Sequence, residues 1–127
     1  MSKLVENFFL KCGTTPETFL SPSVAMGDHN GAMFEVWLVS HTGLDTTTGE
    51  GLVGTLEASN DGLYWTPVPT FPTFAADDGT PQLHYLPVQD TDIVIPQAYI
   101  RLKFVIKAES AAATALLHAD IRTYRAS

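Results

Sequence analysis

A chain of 127 residues has the length of one domain with its own core, and 45% hydrophobic residues exclude a disordered polymer. A formal net charge of −7, from 14 acidic and 7 basic residues, argues against nucleic-acid binding, which needs clustered bases to neutralise phosphate. The single cysteine, Cys12, excludes an internal disulfide and a cysteine-based zinc site, and no apolar run approaches the ~20 residues of a membrane-spanning helix.

In chain order, residues 1–7 lack the long apolar core and cleavage site of a secretory signal. Cys12 reads as a small buried hydrophobe in a protein made in a reducing cytoplasm. Residues 4–11 form a first strand, and two uses for it stand open. Residues 1–11 are an arm that adds to a neighbour's sheet edge, with Val5, Phe8, Phe9 and Leu10 as anchors, or they are an edge strand of their own domain. Thr14-Thr15-Pro16-Glu17 caps a helical turn that Pro22 stops soon after. Residues 18–21 and 23–26 are short extended pieces.

Residues 32–40 alternate as a strand. Ala32, Phe34, Val36 and Leu38 share one face, and Met33, Glu35, Trp37 and Val39 share the other. Both faces are fairly apolar, so the strand is central or covered on its outer side. Residues 41–51 are a Thr- and Gly-rich loop, too polar and small to pack. Residues 52–59 and 63–68 make a β-hairpin about Asn60-Asp61-Gly62, residue types that tolerate positive φ. Tyr64 and Trp65 then point to opposite faces of its second strand. Pro67, Pro69 and Pro72 end that strand.

Residues 71–81 are a loop, 82–86 a short strand and 90–95 an extended segment. Residues 99–107 form the cleanest strand, with Ile100, Leu102, Phe104 and Ile106 facing in. Residues 112–124 combine alanines that favour helix with a strict alternation that favours strand. The alternation decides for a strand, paired with the preceding one across a loop near Glu109-Ser110-Ala111. The predicted fold is all-β: an antiparallel β-sandwich, jelly-roll or immunoglobulin-like, of about seven or eight strands in a single domain spanning residues 1–127.

The seven bases lie at Lys3, Lys11, Arg101, Lys103, Lys107, Arg122 and Arg125, so residues 13–99 carry acids without compensation. Asp77, Asp78, Asp90 and Asp92 flank the strand at 82–86 and are the only calcium candidates. They lack the ligand ladder of a calcium loop, and solvated turn residues are the favoured reading. His29, His41, His84 and His118 show no metal-ligating spacing, and no nucleophile-elbow or phosphate-loop motif occurs. The expectation is therefore a non-enzymatic protein with no cofactor, no metal, no small-molecule substrate, no nucleic acid and no membrane partner. Trp37, Tyr64, Trp65, Phe71, Phe74, Tyr85 and Tyr99 exceed what one core face needs, so some are expected to be exposed and covered by a partner.

Two families resemble this chain. Leu56, Ser59, Asn60, Asp61, Gly62 and Trp65 set out an L-x-x-S-N-D-G-x-x-W hairpin, and residues 98–102 a late strand, similar to discoidin-type carbohydrate-binding sandwiches. The same hairpin, the Y-I-R-L-x-F strand from Tyr99 to Phe104 and the alanine-rich final strand resemble bacteriophage capsid decoration (cement) proteins and small tail proteins. This second resemblance implies a virion structural protein on the capsid surface. Its partner would be the major capsid protein, and it would work as a homotrimer. A discoidin-like sugar platform at Trp65 or Tyr64, and a tail or baseplate component, are the alternatives. Interaction residues expected on these grounds are Val5, Phe8, Phe9, Leu10, Trp37, Tyr64, Trp65, Phe71 and Phe74.

Overall fold

A computed structural model describes residues 1–47, 49–76, 83–87 and 93–126. The strands among the described residues are β1 (Ser2–Cys12), β2 (Glu17–Leu20), β3 (Val24–Ala25), β4 (Gly31–Thr42), β5 (Leu52–Ser59), β6 (Thr66–Pro67), β7 (Phe74–Ala76), β8 (Leu83–Leu86), β9 (Tyr99–Ile106) and β10 (Ala113–Tyr124). All pairings among them are antiparallel. They build a four-stranded sheet in the order β1-β10-β4-β8 and a six-stranded sheet along β2-β9-β5-β6, with β3 on β9 and β7 on β5.

The six-stranded sheet has four lanes. β2 lies against Lys103–Ile106 and β3 against Tyr99–Ile100, so the two are one edge strand broken at its middle. Ser21 spans the break. Its N–H donates to the Leu102 carbonyl at 2.9 Å, and its Oγ accepts from the Leu102 N–H at 2.9 Å. A side chain thereby replaces one rung where Pro22, next in sequence, brings no N–H. On the other edge, β7 lies along Leu52–Gly54 and β6 along Glu57–Ala58, with the Val68 N–H donating to the Leu56 carbonyl. Broken, proline-bearing edges offer a neighbouring chain little ladder to extend.

Counted in lanes, the first pairs with the last (β1 with β10) and the second with the seventh (β2/β3 with β9). The third pairs with the sixth (β4 with β8) and the fourth with the fifth (β5 with β6/β7). This nested pairing is a jelly roll, and it decides between the two predicted sandwiches. The expected partner of β10 is corrected: it pairs with β1 and β4, not β9. Residues 107–112 carry the chain from one sheet to the other, so β9 and β10 belong to different layers. Strand does win over helix there, because Ala113, Ala115, Leu117, Ala119 and Ile121 are all buried on one face.

The core lies between the sheets. Phe34, Val36 and Leu38 of β4 meet Leu102, Phe104 and Ile106 of β9 in one buried cluster. Two loop assignments are corrected as well. The start of the 41–51 stretch does pack: Leu44 is fully buried and bridges to Ala108, and the Asp45 N–H donates to the Lys107 carbonyl. The stretch assigned as loop from residue 71 contributes β7. Phe71 and Phe74 fill the core, edge-on to Phe34 at 5.8 Å and to Phe104 at 6.4 Å. No helical turn forms at residues 14–17. Glu17 instead opens β2, because its neighbours gain a ladder along β9.

Candidate functional site

The outer face of the four-stranded sheet holds the first candidate surface. Register places His118, Trp37 and Leu83 in one row across β10, β4 and β8, and Asp120, Glu35 and Tyr85 in the next. Val39 is an extra residue on β4, where the ladder shifts between Leu116 and Leu117. Phe9 stands beside Leu116 on β1. Phe9, Trp37, Val39, Leu83 and Tyr85 remain 39–55% exposed. Side chains of this size sharing one sheet face make it a candidate interaction surface. Glu35 faces Asp120 directly across the strands, a like-charge opposition beside which lie His118, 3.2 Å from Asp120, and Lys3, opposite Asp120 on β1.

The anchors expected of an N-terminal arm divide between two environments. Residues 2–12 form an edge strand laid along β10, so Val5 and Leu10 are buried in their own core and do not reach a neighbour. Phe8 packs edge-on against Phe19 and Phe104, at 6.3 Å and 6.2 Å. Phe9 alone of the four is exposed. Phe71 and Phe74 are likewise corrected from surface to core: β7 places Phe74 between the sheets, and the turn before it, closed by the Phe71 N–H on the Val68 carbonyl, buries Phe71.

The second candidate surface is the loop between β5 and β6. The tight hairpin expected there opens into a six-residue connection, 60–65, since the ladder resumes only where Ala58 faces Thr66. Asp61 organises it. Its Oδ1 accepts from the N–H groups of Leu63 at 2.9 Å and Tyr64 at 3.0 Å, and from the Ser59 hydroxyl at 3.0 Å. Ser59 Oγ in turn accepts from the Gly62 N–H at 2.9 Å. Gly62, at φ +77°, makes the reversal that a side chain would resist. The backbone N–H groups of Tyr64 and Leu63 hold the Asp61 carboxyl below its ordinary range.

Trp65 closes the base of this loop. Its Nε1–H donates to the Gly62 carbonyl at 3.2 Å, and the Arg101 guanidinium lies 4.1 Å over its ring. Arg101 Nε also donates to the buried Glu57 at 2.9 Å, with Lys103 3.8 Å from the same carboxylate. One indole face is therefore engaged, which leaves Tyr64 as the open ring of the expected sugar platform. Tyr64 and Leu63 are 80% and 77% exposed, the largest exposures among the big apolar side chains of the described residues. The exposed Leu63, Val39 and Leu83 were not among the residues expected at the surface, whereas Tyr85 was among the aromatics expected to be exposed. The signal for Val39 was present, since it shares the outward face of its strand with Trp37.

Asp77, Asp78, Asp90 and Asp92, the calcium candidates, lie outside the described residues. Among the described residues no three His, Cys, Asp or Glu side chains converge as a metal site. His29 Nδ1 lies 2.7 Å from Thr123 Oγ1, and the His84 ring packs edge-on against Phe74 at 4.5 Å. No helix among them is long and apolar enough to cross a membrane. No known protein family, curated protein or solved structure matches this chain.

Proposed function

We propose that this protein is a virion structural subunit, a capsid decoration protein that seats the outer face of its four-stranded sheet on the major capsid protein. The carrying observation is the patch of Phe9, Trp37, Val39, Leu83 and Tyr85, all at least 39% exposed on one sheet face. Burying it against a coat subunit supplies the apolar centre of an interface, with Glu35 and Asp120 at its side for a basic group of the coat. A jelly roll is also a frequent capsid fold, which supports the reading by analogy of fold alone.

The test is density-gradient sedimentation of particles with the wild-type protein and with Trp37→Ser/Tyr85→Ser. Wild type co-migrates with particles in fixed ratio to the coat protein. The double variant, with an unchanged melting temperature, stays near the top of the gradient. A wild-type protein that never co-migrates, or a double variant that binds equally, overturns the proposal.

A further inference from the structure

At one end of the six-stranded sheet lies a pocket of about 270 Å³, and none of its lining residues belongs to the face assigned to the coat. Three segments meet there. The loop after β5 brings Asn60, Asp61 and Tyr64, β6 brings Thr66, and the approach to β9 brings Gln97. Register explains the meeting, since Ser59 lies opposite Tyr99 and Ala58 opposite Thr66.

The frame is formed before any ligand arrives. The bonds that shape the loop fall on one oxygen of Asp61: Oδ1 takes the Leu63 and Tyr64 N–H groups and the Ser59 hydroxyl. Its other oxygen, Oδ2, remains as an acceptor. Among the described residues nothing bonds the side-chain amides of Asn60 and Gln97 or the Thr66 hydroxyl. Beside them the Tyr64 ring is 80% exposed. A site held this way loses little conformational freedom on binding.

The lining selects among ligands. Tyr64 offers an aromatic face that takes a flat apolar surface. Around it stand donors and acceptors together: one carboxylate, two amides and a hydroxyl. A purely apolar group would strip water from these and leave them unpaired. An anion would meet the Asp61 carboxylate with no Lys or Arg in the lining. A cation would use the acceptors and none of the donors. A pyranose satisfies both kinds, because its C–H face lies on the phenol ring while each hydroxyl donates and accepts. Tyr64, Thr66 and Gln97 are not positions of the L-x-x-S-N-D-G-x-x-W pattern. Trp65, which is one, has a face already engaged by Arg101.

We infer that this pocket binds a neutral glycan, with Tyr64 as the stacking ring and Asn60, Asp61, Thr66 and Gln97 as partners of the sugar hydroxyls. The site shares no residue with the coat-facing surface, so the two bind independently.

The test exposes the labelled whole chain, free of particles, to an array of oligosaccharides ending in glucose, galactose or mannose, with sialylated counterparts. Isothermal titration then measures each sugar that binds. Wild type is expected to bind at least one neutral glycan. Tyr64→Ala should weaken that binding at least about tenfold, with an unchanged melting temperature. Tyr64→Phe, which keeps the ring, should retain it, and Gln97→Ala should weaken it less than Tyr64→Ala. Trp37→Ser/Tyr85→Ser, altered only on the coat-facing sheet, should bind the glycan like wild type. A wild type that binds no glycan, or only sialylated ones, overturns the inference, as does a folded Tyr64→Ala that binds equally well. Particle attachment is read in a separate experiment, so its failure and this one are distinguishable.

Discussion

Asp45 and Gly54 show how single residues decide local structure here. The Asp45 carboxylate takes hydrogen bonds from the Thr47 hydroxyl at 2.6 Å and the Thr47 N–H at 2.9 Å, with Lys107 Nζ 3.0 Å away. These donors, the Thr47 hydroxyl foremost, lower its pKa from 3.8 to about 2. A depressed carboxyl contributes stability that is complete above its unfolded value and lost as pH falls through its folded value. Melting temperature is therefore expected to drop between about pH 4 and pH 2, with Asp61 adding in the same direction. In Asp45→Asn the curve should start lower at neutral pH and fall less steeply in acid, as melts across that range would read. Gly54 faces the core, where an added Cβ would lie 2.9 Å from the Phe104 ring and 3.3 Å from Phe74 Cβ. Gly54→Ala should overpack that contact and cost about 1–3 kcal/mol in urea denaturation.

At the scale of the element, strand identity was legible wherever alternation ran long. The inward residues read from β4 and β9 are those buried in the core. The period-two pattern is local and survives without knowledge of the partner strand. Short elements were less legible. β6 has two residues and β7 three, and each exists because β5 supplies its ladder rather than through any pattern of its own. The same dependence makes Ser21 important. Ser21→Ala leaves the buried Leu102 N–H without its acceptor. A loss of about 1–3 kcal/mol is expected, measured as a shift in denaturation midpoint, with faster hydrogen exchange at Leu102. β1 carries a larger consequence. A detachable arm would leave a folded core on deletion of residues 1–11. The edge strand observed here would not, because Leu10 and Val5 belong to the core and β10 would lose a neighbour along its length. Circular dichroism and the melting curve of the truncated chain should show loss of cooperative folding.

For the molecule as a whole, the jelly roll accounts for how few candidate aromatics remain outside. Four lanes in each sheet make an interior deep enough to take Phe71 and Phe74, which a single core face would not need. The large aromatics left exposed are Phe9, Trp37 and Tyr85 on the outer face of one sheet and Tyr64 at a loop tip. The coat-binding proposal rests on the first of these groups. The sequence alone determined the all-β class, the long strands and their inward faces, because alternation and turn residues act over a few neighbouring positions. Tertiary structure alone decided that β10 joins β1 and β4, that residues 60–65 form an ordered loop, and which aromatics stay exposed. Those outcomes depend on contacts between residues far apart in the chain, where the free energy of packing one sheet on another outweighs any local preference.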